Sequence, residues 1–438
     1  MRRVDRLFLA SLALTAAVLP WSVQAQHATA TATAALQRAQ PQIVEWRRDL
    51  HQHPELGNHE VRTAQVVADH LRSLGLEPRT SIAHTGVTAI LKGGKPGPRI
   101  ALRADMDALP VTEQTGLPFA SKVTSDYRGQ PVGVMHACGH DAHVAMLLGV
   151  ASALVAAQEE LPGEVMFVFQ PSEEGPPNAG EEFGAALMLK QGIFDHFKPQ
   201  AVFGLHVWAG LPVGQVGTRS GTLMASADEW TLTVRGKQTH GSRPWDGVDP
   251  ITLGAQILLG TQSIIARQVN IAATPVVLTA GVFHSGVRFN IIPDEAKLVG
   301  TLRTFDPLVR EDVIARFRRT AEDFAHAGGG SAELQMVNNA PATINDPALA
   351  QRMRASLETA AGAGNVVEMP LVTVAEDFSQ YTRDVPGFFF FVGSTAADTD
   401  PATAPINHSP QFLLDEKSLQ VGSQAMLQLA LDFLNGAP

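Results

Sequence analysis

Residues 143–175 read HVAMLLGVASALVAAQEELPGEVMFVFQPSEEG. A long apolar segment rich in Ala and Leu comes first and ends in Gln158-Glu-Glu160. After Pro162-Gly163 it gives way to Val165-Met-Phe-Val-Phe-Gln170. A run of apolar residues without alternation marks a strand buried on both faces. Such strands belong to parallel sheets covered by helices on either side. Two carboxylates, Glu173 and Glu174, follow the strand directly. Ligands of open α/β sheets gather outside the carboxyl ends of strands, so the stretch predicts both an α/β fold and a site.

The same rhythm extends outward. Spacing predicts helices over residues 36–50, 61–74 and 143–160, and strands over 88–91, 99–103, 165–170 and 201–206. Between about residues 225 and 337 the order changes to strand 229–234, helix 249–267, strands 276–283 and 296–303, helix 311–326 and strand 333–337. That is βαββαβ, the split motif of ferredoxin-like domains. The first rhythm then resumes with helix 349–361, the apolar segment 387–392 and a closing helix 418–434. The expected class is therefore α/β: an open, mostly parallel-sheet domain with an inserted ferredoxin-like domain. Its expected segments are 1–25, 26–220, 221–337 (the insertion, with hinges near Gly221 and Asn338) and 338–438.

With 438 residues, more than one folding unit is expected. Hydrophobic residues make up 45% and charged residues 17%, a globular balance. The net charge is −10 with no Lys/Arg cluster, which excludes a nucleic-acid binder. No apolar run is long enough for a polytopic membrane protein. Arg2, Arg3 and Arg6 precede a short apolar run over residues 7–19, Pro20 breaks it, and Val23 and Ala25 supply a small-residue cleavage site. Residues 1–25 thus read as a secretory signal peptide. The expectation is an exported chain, periplasmic or secreted, that starts at Gln26 and is free of the membrane after cleavage. An oxidising compartment favours paired cysteines, yet Cys138 is alone.

Its neighbours suggest why. Cys138 and His140 flank a glycine, which lets thiolate and imidazole converge. Thiolate, imidazole and carboxylate are the ligand set of zinc and its neighbours. Asp105 and Asp107 follow one expected strand, Glu173 and Glu174 another, and His206 ends a third, while Asn407-His-Ser-Pro410 lies near the C-terminus. An acidic turn is the ordinary reading of adjacent glutamates. Directly after a buried strand, however, one can ligate metal while its neighbour moves a proton.

The segments His51-Gln-His-Pro-Glu55-Leu, Leu102-Arg-Ala-Asp-Met-Asp-Ala-Leu-Pro110, Met135-His-Ala-Cys-Gly-His-Asp-Ala-His143 and Phe169-Gln-Pro-Ser-Glu-Glu-Gly175 resemble the amidohydrolase branch of the co-catalytic metallopeptidases. That branch includes hippurate hydrolases, N-acyl-amino-acid amidohydrolases and plant hydrolases of indole-acetyl amino acids. Phe289-Asn-Ile-Ile-Pro293, Ala375-Glu-Asp-Phe378 and His408-Ser-Pro410 extend the match. The resemblance implies two divalent ions per chain (Zn, Mn, Co or Ni) on Cys138, His140, Glu174, His206 and His408. Glu173 is the implied general base, Asp107 orients the site, and the cysteine compensates for Asp105 at a position where relatives place a histidine. The inserted domain is implied to be a lid and a homodimer surface. His240 would polarise the scissile carbonyl, and Asn290 and Arg303 would hold the substrate carboxylate, for which a guanidinium fork is suited.

The segment Thr239-His-Gly-Ser-Arg-Pro-Trp245 departs from the usual arrangement of a small residue and a second histidine, and residues 176–183 lengthen the loop after Glu174. His51, His53, His136 and His143 are expected to be structural. The expected reaction is hydrolysis of an N-acyl or N-aroyl amino acid by a metal-activated water. A dipeptidase or carboxypeptidase using the same site is the alternative, followed by a binding protein without turnover. A serine hydrolase is disfavoured because no Gly-x-Ser-x-Gly occurs.

Overall fold

The computed structural model describes residues 21–436, with side chains from residue 26. The expected leader lies outside the described residues except for the backbone of 21–25, which opens the first helix, Trp21–Gln52. Eight strands form the main sheet in the spatial order Arg79–Ile82, Gly86–Lys92, Pro162–Gln170, Lys95–Asp105, Ala201–Pro212, Gly387–Thr395, Val216–Thr218 and Val366–Glu368. The central strands Pro162–Gln170, Lys95–Asp105, Ala201–Pro212 and Gly387–Thr395 pair in parallel. Antiparallel pairing is confined to one edge and to Val216–Thr218.

Period two explains how four consecutive phenylalanines are all buried. In Gly387–Thr395, Phe388 and Phe390 enter one core, Phe389 and Phe391 the other. The first core lies under the helices Trp21–Gln52, His140–Ala156 and Lys417–Leu434. Nearly every residue of His140–Ala156 is buried, so this helix is enclosed rather than amphipathic. Its Gly149 lies where a Cβ would come within 2.3 Å of Ile43, which brings the two helices close. Among the described residues no helix is long and apolar enough to cross a membrane.

A smaller unit leaves this body after Met224. Its antiparallel sheet has the order Val276–Ser285, Glu295–Thr304, Ala227–Arg235, Ser331–Ala340, with the helices Pro250–Gln268 and Pro307–Ala327 on one face. The connecting strands Gly221–Met224 and Thr343–Asn345 pair with each other, and Leu223 and Met224 pack beside Phe378 in the larger unit's core. The crossing therefore falls near residues 225–226 and 340–342, a few residues away from Gly221 and Asn338. The four-residue strands and the early start of the first helix go beyond the sequence reading.

Candidate metal centre and active site

Three parallel strands converge on one place, two of them by their carboxyl ends. Lys95–Asp105 brings Asp105 and, two residues on, Asp107. Pro162–Gln170 leads through Ser172 (φ 53°) into Glu173 and Glu174. Ala201–Pro212 presents His206 from its middle, just past the end of its pairing with Lys95–Asp105, so the strand continues beyond the residue expected to end it. Gly139 starts the helix that carries His140, at φ 98°, with Val207 only 2.3 Å from where a Cβ would sit. Only glycine tolerates both the left-handed backbone and the close approach. His408 arrives from the far end of the chain at φ 73°, held by its N–H to the Ala137 carbonyl at 2.8 Å. Asn407 fastens the same loop, donating to the carbonyls of Cys138 and Val207 at 3.0 and 3.1 Å.

The Cys138 Sγ lies 3.2 Å from the Nε2 of both His206 and His408. The other nitrogen of His206 donates to the Val207 carbonyl at 2.7 Å, which leaves Nε2 as a lone pair facing the sulfur. His140 donates from Nδ1 to Asp107 at 3.1 Å, and its buried Nε2 makes no hydrogen bond, with Asp105 the nearest carboxylate at 3.8 Å. The second Asp107 oxygen accepts the Glu174 N–H at 2.9 Å, so one carboxylate orients two expected ligands. Glu174 lies 2.8 Å from His408 Nε2. The donor atoms of Cys138, His140 and His206 lie within 4.8 Å of one another, as do those of Cys138, Glu174 and His408. Two donor groups sharing one sulfur, together with an orphaned imidazole nitrogen, fit a pair of divalent ions.

Electrostatics point the same way. Burial, reinforced by Glu174, Glu173 and Asp105, pushes the Cys138 thiol well up. Burial disfavours a charged His140, yet Asp105 and Asp107 outweigh it and lift the imidazole to about 10. Burial, with Glu376 and Glu174 nearby, raises the Glu173 carboxyl well above its ordinary value. Burial also lifts Asp377 to about 7. So many buried carboxylates in one place are a site short of cations.

One cation present was not singled out from the sequence. Fully buried Arg103 donates to Gln170 (2.9 Å), Asp105 (2.6 Å), Glu376 (2.8 Å) and Asp377 (3.0 Å). The Asp377 N–H reaches Glu173 Oε1 at 3.3 Å, so this network lies directly beneath the expected base. An arginine directly after the apolar stretch 100–102 was the available signal. Of the histidines expected to be structural, His51 bridges Asp141 and Glu113, at 2.8 and 3.2 Å. His53 caps the Asp49 carbonyl, and His143 links Asp105 to the Val207 N–H. His136 is buried with both nitrogens unpartnered, and burial holds it neutral with a value near 3.

The structure brings Asp107, Cys138, His140, Glu173, Glu174, His206 and His408 together. His240, Asn290 and Arg303 lie on the smaller unit instead. His240 and Asn290 share a pair of stitched loops, with Gly241 N–H on the Asn290 carbonyl at 2.8 Å. Arg303 lines a cavity of about 440 Å³ on the sheet face opposite the helices, with Thr279, Thr301 and Asn339.

Residues 101–432 match the family described as Peptidase family M20/M25/M40. The chain belongs to that family. Among M20 relatives, thermostable carboxypeptidase 1 of Saccharolobus solfataricus is 39% identical over 395 residues, covering 90% of this chain and 95% of its own. The N-acetylcysteine deacetylase of Bacillus subtilis is 38% identical, covering 89% and 96%. The Bacillus subtilis YXEP protein, whose crystal structure is described as a dinuclear metal binding peptidase from the M20 family, superposes with a TM-score of 0.75. It is 36% identical, covering 91% of this chain and 99% of that one. This M20 chain is thus a metal-dependent hydrolase of the amidohydrolase type, as its motifs implied.

Proposed function

We propose that the chain hydrolyses the amide bond of N-acyl or N-aroyl amino acids, with Zn, Mn, Co or Ni as the pair of ions. The observation that carries this is the divergence of two adjacent carboxylates. Glu174 turns to His408 and Cys138, whereas Glu173 turns to the Asp377 N–H, its oxygen still within 4.8 Å of the His140 and Glu174 donor atoms. One carboxylate completes the donor set, and the other is left for proton transfer. The bound ions supply Lewis acidity, which brings the pKa of a water down to about 7. Glu173 takes a proton from the attacking water and passes it to the leaving nitrogen, work typically worth about 10²–10⁴ in rate. His240 donates to the scissile carbonyl, and Asn290 and Arg303 hold the substrate carboxylate.

Glu173→Gln tests the assignment. It retains both ions by elemental analysis while kcat falls by at least about 10²; unchanged turnover defeats the role of Glu173. A panel of N-acetyl, N-benzoyl and unblocked dipeptide substrates fixes the class. Preference for unblocked or long peptides would make the chain a peptidase, in the sense of its carboxypeptidase-named relatives. We also propose export with Gln26 as the mature N-terminus, and pairing of two copies through the smaller unit. Mass spectrometry of the secreted fraction and light scattering check these.

A further inference from the structure

His240 sits in a loop that is unusually well fixed for an exposed segment. Thr239–His240 pairs with Ile291–Ile292, and a Cβ on Gly241 would meet the Asn290 backbone at 3.1 Å. The Arg243 N–H returns to the His240 carbonyl at 2.8 Å, and Arg243 pairs with Asp246 at 2.6 Å. Within this loop the Ser242 N–H points at His240 Nδ1 from 3.0 Å, and Ser242 Oγ lies 2.7 Å from the same nitrogen. A backbone N–H can only donate. Nδ1 must therefore be an acceptor, since a proton there would set two donors against each other. The ring proton is left on Nε2, which makes no hydrogen bond among the described residues.

We propose that Ser242 is a positioning residue that fixes His240 in the Nε2–H tautomer, so that the exposed edge of the ring acts only as a donor. The inference rests on the proposed role of His240 and deepens it. An Nε2–H group stabilises negative charge developing on a carbonyl oxygen, whereas a bare Nε2 lone pair repels it. The Nδ1 partner in this chain comes from residue 242 itself. The tautomer follows from the hydrogen-bond pattern and is open to direct observation.

The test uses zinc-loaded enzyme labelled with nitrogen-15 at histidine, with His240 assigned by its disappearance in His240→Gln. Nδ1 resonating as an imine nitrogen and Nε2 as a pyrrole nitrogen is the expected spectrum; the reverse overturns the proposal. In kinetics, Ser242→Ala removes the hydroxyl but keeps the backbone N–H on Nδ1, so it weakens the lock rather than abolishing it. Its kcat falls about five- to tenfold, the order expected for one neutral hydrogen bond, with KM unchanged, and Ser242→Thr restores it. His240→Gln keeps an N–H donor near the Nε2 position and therefore outperforms His240→Asn. Placed on His240→Gln, the Ser242→Ala change costs nothing more. An equal loss in both backgrounds makes Ser242 merely structural and overturns the proposal. Full activity in both His240 variants removes the role of His240 in hydrolysis, and with it the catalytic meaning of the lock, while the nitrogen spectrum still reports the tautomer.

Discussion

Asp105 accepts the Nδ1 proton of His143 at 2.5 Å, and this contact keeps His143 out of the donor set beside it. The opposite nitrogen of His143 is spent on the Val207 N–H at 2.9 Å. His140, one helical turn earlier, likewise donates from Nδ1, but its Nε2 has no hydrogen-bond partner and only the Asp105 carboxylate beside it at 3.8 Å. The two histidines should therefore separate cleanly. His140→Asn loses bound metal and activity together. His143→Asn keeps both ions but lowers unfolding stability by roughly 1–3 kcal/mol, the cost of unmade buried hydrogen bonds. Elemental analysis and urea unfolding of the two variants decide it, and loss of metal from the His143 variant would refute the assignment.

Arg103 compensates Asp105, Glu376 and Asp377 in the buried interior. Arg103→Met removes the cation and strands three buried carboxylates, a change expected to cost on the order of 3–5 kcal/mol. Turnover should fall as well, because the Asp377 N–H that meets Glu173 moves with this network. Denaturant midpoints and kcat measured side by side check both effects. A variant as stable as the parent shows that the network is already relieved by another cation.

Glu60 gives a pH dependence with a definite sign. Buried at the start of the helix Val61–Ser73, it accepts the Ser172 N–H at 2.7 Å and meets Thr85. Burial, with Asp107 adding to it, raises its carboxyl to about 8 from an ordinary value of 4.5. Below the ordinary value both folded and unfolded chains hold the proton. Between the two values only the folded chain does, so its contribution is lost as pH rises toward 8, up to a few kcal/mol. Glu60→Gln keeps the shape without the charge. Its stability should fall less than that of the parent between pH 5 and 8, as thermal unfolding across that range will show; parallel curves would contradict it.

The central strands were legible because three of them carry uninterrupted apolar runs, at 165–169, 201–205 and 387–392, and the reactive side chains near the strand ends stood in plain view. The insertion was legible from its change of order. Less so was the first helix, expected from residue 36. Its earlier turns bury Ala28 and Ala32, which carry almost no apolar signal. Strands of three or four residues, such as Val216–Thr218, are too short for a period to show. Arg103 could be seen, but its partners Glu376 and Asp377 are more than 270 positions away, and nothing local pairs them. The Ser172 and His408 backbones in the left-handed region are set by tertiary contacts rather than by residue type.

Cys138 and His408 are 270 positions apart, with the whole smaller unit between them. Closing so large a loop is slow and entropically costly, and it rewards the chain only when the last segment docks. During synthesis the early half can build its sheet, but the donor set stays open until the final stretch arrives. A bound ion is then a late clasp that joins the end of the chain to its beginning. Retention of an ion on Cys138, Glu174 and His408 thus distinguishes a finished molecule from one stalled a single segment short.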